Sequence, residues 1–510
     1  MAKKILFGSL AAGLLALAIT LAACEGPVSP DQQIWVFQNK SNPGPGGAVP
    51  YGDFVLPLNN LDMVIPYINA HPDGYAPGKP VNLKLQIDLG TMTSITSNWQ
   101  SLLGAIEAAG KYVALDLSDC SMNGNVFNPD YRIDTGKAKI VSMVLPDVPL
   151  YIQGGVDFSS TGINGPFLHF TKLTEVEVRN ITSISGYSFP GCTNLERISF
   201  PATTSIYNNP FYGCTVLTFS VIGNGVLSTI LNGKALVRNN TELISYPSIG
   251  SHITMDNITS ISDYAFNGYT SLVNVELEFP LVTYIGNNAF ENCTNLYWMD
   301  FPLVEYIGSY AFHNCGFPIV DFPLVKNIGN QAFYECENLQ GANFPMAETI
   351  GYRAFGDCRN LTIVNLPLVK TIGEMAFASC SILASVSFPL AKTIGFGAFW
   401  YTSLTSVSLP MAETIDGSAF ASTGATALTI TLGNSAPSLQ IGIFINNPPK
   451  TVTVQVPAGA TGYGAIPATY SGTDSTPNWG NGLRGLGWDG SSTTGGSVNS
   501  NITLHVEYLP

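Results

Sequence analysis

Charge is scarce in this sequence. Of 510 residues, 21 are Lys or Arg and 35 are Asp or Glu, so 11% are charged. An average globular chain carries about 25%. The net charge of −14 provides no basic footprint for nucleic acid and no electrostatic hold on anionic lipid. Histidine is scarcer: His71, His169, His252, His313 and His505 lie far apart in the chain, without metal-ligand spacing. There is no Gly-x-Ser-x-Gly, His-Glu-x-x-His, phosphate-binding loop or Cys-x-x-Cys. The chain therefore reads as a non-enzyme with no cofactor and no metal, and no residue is singled out for catalysis. Hydrophobic residues are plentiful at 45%, with 51 Gly and 33 Pro, which excludes disorder by composition and implies many turns. A chain of this length suggests several domains unless it is a repeat array.

The first residues form an address. Lys3 and Lys4 precede the uncharged run Ile5 to Ala23, which ends in Leu21-Ala22-Ala23-Cys24. The run could span a bilayer, but small residues before the cysteine favour cleavage. Leu-Ala-Ala-Cys resembles the bacterial lipobox. That resemblance implies a signal peptide over 1–23, cleavage before Cys24 and lipidation of Cys24, with the membrane reached through acyl chains. Residues 24–52 then read as the lipidated cysteine and a Pro- and Gly-rich tether.

The middle of the chain repeats. FPLVEYIGSYAFHNC starts at Phe301, FPLVKNIGNQAFYEC at Phe322, FPMAETIGYRAFGDC at Phe344 and LPLVKTIGEMAFASC at Leu366. The Phe of the Ala-Phe pair recurs at 266, 290, 312, 333, 355, 377, 399 and 420, and earlier units end in Phe189 and Phe211. Leu361, Val364 and Leu366 have the spacing of a short strand, and the following Pro ends its pairing. The Ile-Gly step turns the chain, with glycine expected at positive φ. A unit this short cannot bury its own apolar face, so units must stack and share one core. The expected stack has one parallel strand per unit, about 4.8 Å apart.

This pattern resembles the BspA-type leucine-rich repeats of bacterial surface lipoproteins, including those of spirochaetes. The match is strong over 173–423. It implies an α/β, β-dominated solenoid: a leucine-rich-repeat right-handed superhelix with a parallel sheet on its concave face and non-repeat caps at both ends. It also implies surface attachment and binding of host or neighbouring-cell macromolecules.

The expected layout is an N-terminal cap over 53–160, repeats over 161–423 and a β-rich C-terminal cap over 424–510. Ser97 and Gln100 form a capping box for a helix closed by Gly110. Leu227 to Tyr246 reads as two strands around Asn239-Asn240, an insert at about 215–252 that projects from the solenoid. Cys192, Cys214, Cys293, Cys315, Cys336, Cys358 and Cys380 each lie three residues after the repeat Phe. Thr402, Thr423 and Tyr269 replace them elsewhere, so they read as a ladder of buried free thiols. His313 occupies a position that other units fill with Tyr, Gly or Ala, and reads as a surface residue.

The candidate binding surface is the outward column of the strands: Glu177, Ser199, Glu276, Asp300, Asp321, Asn343, Asn365, Ser387 and Ser408. Beside it run Glu175, Arg197, Asn274, Trp298, Gly341, Ile363, Ser385 and Ser406, with Tyr297 and Trp298 as an aromatic anchor. The expected role is a lipid-anchored binding or adhesion protein of the bacterial envelope, at the outer membrane or cell surface. Its ligand would be a protein, or a glycan. A glycan-binding or glycan-processing envelope protein and a passive structural component are the alternatives.

Overall fold

The computed structural model describes residues 55–56, 61–92, 94–129, 135–154, 165–247, 252–269, 276–439, 450–461, 470–471 and 502–509. The expected signal peptide over 1–23, Cys24, the expected tether and Asn274 lie outside them. The chain winds as a solenoid whose rungs stack through parallel strands. Among the described residues only Val64–Ala70 and Asn98–Ala109 are α-helical. The second follows the sequence reading closely: Ser97 accepts from the Gln100 backbone N–H, and Gly110 ends the helix at φ 70°.

Each repeat rung carries two strands rather than the expected one. Three-residue strands such as Trp298–Asp300 precede the Phe-Pro step, and two-residue strands such as Thr349–Ile350 precede the glycine. The second kind joins neighbouring rungs into a twelve-stranded sheet that runs from Leu227–Ile230 to Ser438–Leu439. The reason is that every corner of a rung leaves backbone groups in the interior, and these must pair. The Ala-Phe side is tied as well: Phe333 N donates to Ala354 O at 2.8 Å, and Phe355 N to Ala376 O at 2.8 Å.

The glycines also work differently from expectation. Gly351 and Gly373 are not in the left-handed region. A Cβ on either would lie 2.7 Å from backbone atoms of the preceding rung. Glycine is needed there for close approach of two backbones. The positive φ falls two residues later, on Tyr310, Gln331, Arg353 and Met375 at 49–56°.

Inside, the repeat phenylalanines form one ladder from Phe266 to Phe420. Neighbouring rings lie 4.7–5.6 Å apart with planes within 11°. Among the described residues the seven ladder cysteines and Cys120 are free and buried. Their thiols tie one rung to the next. Cys315 donates to the Phe290 carbonyl at 3.0 Å, Cys336 to Phe312 at 3.0 Å and Cys358 to Phe333 at 3.0 Å. A small side chain with one weak donor thus satisfies a carbonyl of the previous rung. Burial pushes the Cys336 thiol up to about 12 and the Cys120 thiol up to about 11.

The insert does not project. Leu227–Ile230, Ala235–Arg238 and Glu242–Ser245 form an antiparallel meander that starts the twelve-stranded sheet. The expected turn at Asn239-Asn240 is present, with both residues at positive φ. Alternate side chains of the meander enter two different cores. Leu236 and Ile244 join the core of residues 64–244, while Val237 and Leu243 join the core of residues 235–456. The meander is the wall between two stacks. Beyond the repeats, Ala427–Leu432, Lys450–Pro457 and Ile502–Leu509 continue the Phe-Pro side as long parallel strands.

Candidate functional site

The Phe-Pro side presents two outward columns, because strand residues alternate and the central one is buried: Leu277, Val320 and Ala342 point inward. Register places Glu276 opposite Trp298, and Glu278 opposite Asp300. The acidic column is therefore Glu278, Asp300 and Asp321, and Glu276 belongs to the neighbouring column. The sequence reading slipped by two residues. The step from Phe266 to Phe290 is longer than those that follow it, and the extra residues lie before Phe279-Pro280. Counting between Phe-Pro steps gives the register, since that step is where each strand ends. A slip of two keeps the face and changes the neighbours.

The column changes character along its length. Asn365 donates to Asn343 at 2.6 Å, and Asn343 donates to the Asp321 carboxylate at 2.7 Å. Thr254 donates to Glu278 at 2.8 Å. Asp300 and Asp321 are exposed and occupy equivalent positions of consecutive rungs. Backbone pairing between Trp298–Asp300 and Ile319–Asp321 is interrupted, since they lie in separate sheets.

The neighbouring column is largely apolar. It holds Trp298 at 42% exposure, Ile319 at 66% and Ile363 at 68%, with Gly341 between the isoleucines. Tyr297, 62% exposed, flanks it. Ile319 was missed from sequence, although its place two residues before Asp321 in the same strand would have found it. On the N-terminal stack the expected columns do form. Glu175 pairs in register with Arg197, Glu177 with Ser199, and Arg179 binds the Glu177 carboxylate at 2.6 Å. They belong to a separate sheet that ends at Thr218–Ile222, and the nine residues of the column inferred from sequence are divided among four sheets.

His313 is half-buried rather than a bland surface residue. Its Nδ1 lies 3.1 Å from Glu291 and its Nε2 3.4 Å from Glu335, carboxylates of the rungs before and after.

The model of the BspA-type leucine-rich-repeat region matches the sequence in six copies, over residues 163–246, 239–316, 259–383 and 305–429. Together these cover just over half of the chain. The protein belongs to the BspA-type leucine-rich-repeat family. The chain is similar to a leucine-rich cell surface protein of Faecalibacterium prausnitzii, at 19% identity over 56% of this chain and 78% of that one, with TM-score 0.40. It is also similar to leucine-rich-repeat proteins of Eubacterium ventriosum and Bacteroides ovatus. The first is 21% identical over 56% of this chain and 90% of that one, TM-score 0.34. The second is 19% identical over 63% of this chain and 88% of that one, TM-score 0.32. No curated protein matches. Membership in this family of surface proteins implies binding or adhesion in general terms.

The BspA-type rungs deal with charge differently on the Ile-Gly side. There Lys326 meets Glu305 at 3.5 Å, Lys370 meets Glu348 at 2.6 Å and Lys392 meets Glu413 at 2.8 Å. Charges of opposite sign on neighbouring rungs pair along that column and neutralise one another. Among the described residues no lysine meets Asp300 or Asp321 in this way.

Proposed function

We propose that this protein is a lipid-anchored binding protein of the bacterial surface, held through Cys24, which engages a protein partner through the Phe-Pro side of its C-terminal stack. The observation that carries this reading is the pairing of columns: exposed Trp298, Ile319 and Ile363 run beside Asp300 and Asp321. Three large exposed apolar side chains on the same side of neighbouring rungs are a contact surface of the kind interfaces use. Like charges at equivalent positions of consecutive rungs repel unless a cation approaches. A partner with basic residues beside an apolar patch would satisfy both columns.

The test uses the chain that starts after Cys24, with a partner captured from host or neighbouring-cell extracts. Glu278→Gln, Asp300→Asn and Asp321→Asn together should slow association, by about tenfold at low salt, and flatten its salt dependence. Ile319→Asp should raise dissociation. Unchanged affinity and salt dependence in both variants would exclude this face. For the anchor, Cys24→Ser should lose incorporation of a palmitate analogue; retained label would exclude lipidation at Cys24.

A further inference from the structure

Where the two stacks meet, the surface opens into a cleft of about 480 Å³. It lies between Ser205–Ile206, the last strand of a three-stranded sheet, and the antiparallel meander that begins the twelve-stranded one. The parallel stacking is interrupted here, and Arg238 of the meander caps the open Ile206 carbonyl at 2.8 Å. The volume falls in the range of small-ligand sites, about 300–1,000 Å³.

The lining decides what could enter. Tyr207 is 58% exposed. Tyr284 is 40% exposed and stacks on Tyr306 at 5.0 Å with planes 2° apart, so its ring is held as a platform. The charged groups are held in place by one ion pair and by neighbouring donors. Arg238 pairs with Glu242 at 2.8 Å, Glu242 also accepts from Ser262, and Asp263 accepts from the Asn287 backbone at 2.7 Å. An anion would meet two carboxylates, and a cation would meet the Arg238 guanidinium. An apolar molecule would leave these polar groups without water. A neutral polyhydroxylated ring has none of these conflicts. Its C–H face stacks on tyrosine, and its vicinal hydroxyls both donate to carboxylates and accept from a guanidinium.

We propose that the junction cleft binds a neutral sugar unit of a glycan. The inference uses no residue of the proposed protein-binding face, so either can fail alone. The experiment is an array of neutral glycans probed with the chain that starts after Cys24. Saturation-transfer NMR and titration with the best binder follow. Binding should be retained by the Glu278, Asp300, Asp321 triple variant and by Tyr401→Ala, a control tyrosine on a distant rung. It should fall about tenfold in Tyr207→Ala, and further in Tyr284→Ala. Tyr207 is exposed, so its truncation tests the site even if loss of Tyr284 disturbs the stack beneath it. Asp263→Asn, which keeps an acceptor for Asn287, should also weaken binding. No binding by any neutral glycan would overturn the proposal. So would glycan binding undiminished in Tyr207→Ala and Asp263→Asn, or binding restricted to cationic or acidic probes.

Discussion

On the C-terminal side of the meander, eight phenylalanine rings stack within 11° of parallel. On the N-terminal side, Phe167, Phe189 and Phe211 stack at 4.4 and 5.7 Å with planes 16° and 18° apart. Thiols follow the same trend: they reach the preceding Phe carbonyl at 3.0–3.1 Å from Cys293 to Cys380, but at 3.3 Å from Cys192 and Cys214. Two strand pairs on the N-terminal side shift register, Val113–Asp116 with Ile140–Val144 and Leu150–Ile152 with Ile181–Ile184. One N-terminal rung carries a full helix. Nearly constant rung length lets equivalent atoms superpose from rung to rung. Variable length forces each interface to be solved separately. The seam between the stacks is polar where the ladder breaks. Tyr269, in the cysteine position, meets Asn209 at 3.2 Å and Ser245 at 3.4 Å, and Asn209 also donates to the Tyr264 and Ala265 carbonyls.

Breaking each ladder should show the difference most strongly. Phe355→Ala should cost about 3–5 kcal/mol in denaturant melts, as for a buried ring. By hydrogen exchange, the loss of protection should spread to the rungs on both sides. Phe189→Ala should cost no more than this, and its loss of protection should stop at the meander. Loss that crosses into residues beyond 252 would mean that the two cores act as one.

The second test is a single substitution with opposite signs in the two regions. Gly351→Ala puts a methyl against the preceding backbone and should destabilise by about 1–3 kcal/mol. Gly104 sits in the N-terminal helix with nothing near its Cβ direction. Gly104→Ala should therefore stabilise by about 0.4–1 kcal/mol. Equal signs would refute the close-approach account of the rung glycines.

The seam should respond next. Tyr269→Phe keeps the ring and removes the buried hydroxyl, at about 1–3 kcal/mol. Because the hydroxyl joins both sides, the variant should unfold in two separable transitions, followed by probes placed in each stack.

The smallest effect concerns acid. Burial pushes the Glu291 carboxyl up, but hydrogen bonds with His313, Asn288 and Asn267 outweigh it and hold the group below its ordinary value. A carboxyl depressed in the folded state stabilises above its unfolded value, and the contribution is lost as pH falls through the lower folded value. Melting temperature should drop between about pH 5 and pH 3 more steeply in the native chain than in Glu291→Gln. Parallel profiles would remove Glu291 from the account.

Much of this was legible in the sequence, and the misses share one cause. The Phe, Cys and Phe-Pro positions recur at nearly constant spacing, so their burial could be read directly. Glu278 was passed over for Glu276 because one rung is longer, and counting from the wrong anchor moved the register by two. The second strand of each rung was missed because two residues are too few to show a period. His313 looked interchangeable because its partners, Glu291 and Glu335, belong to the neighbouring rungs.

Repetition along the chain thus determined, with no reference to three dimensions, that the apolar face had to be shared between units, and which side chains share it. A face that no single unit can bury leaves no other solution. Contacts between rungs belong to tertiary structure alone. Stacking decided which carboxylates adjoin, that the glycines allow close approach, that the meander divides the core rather than leaving it, and that a cleft opens where parallel stacking is interrupted. These depend on register between segments about one rung apart or more, and no local pattern records that register when rung length varies.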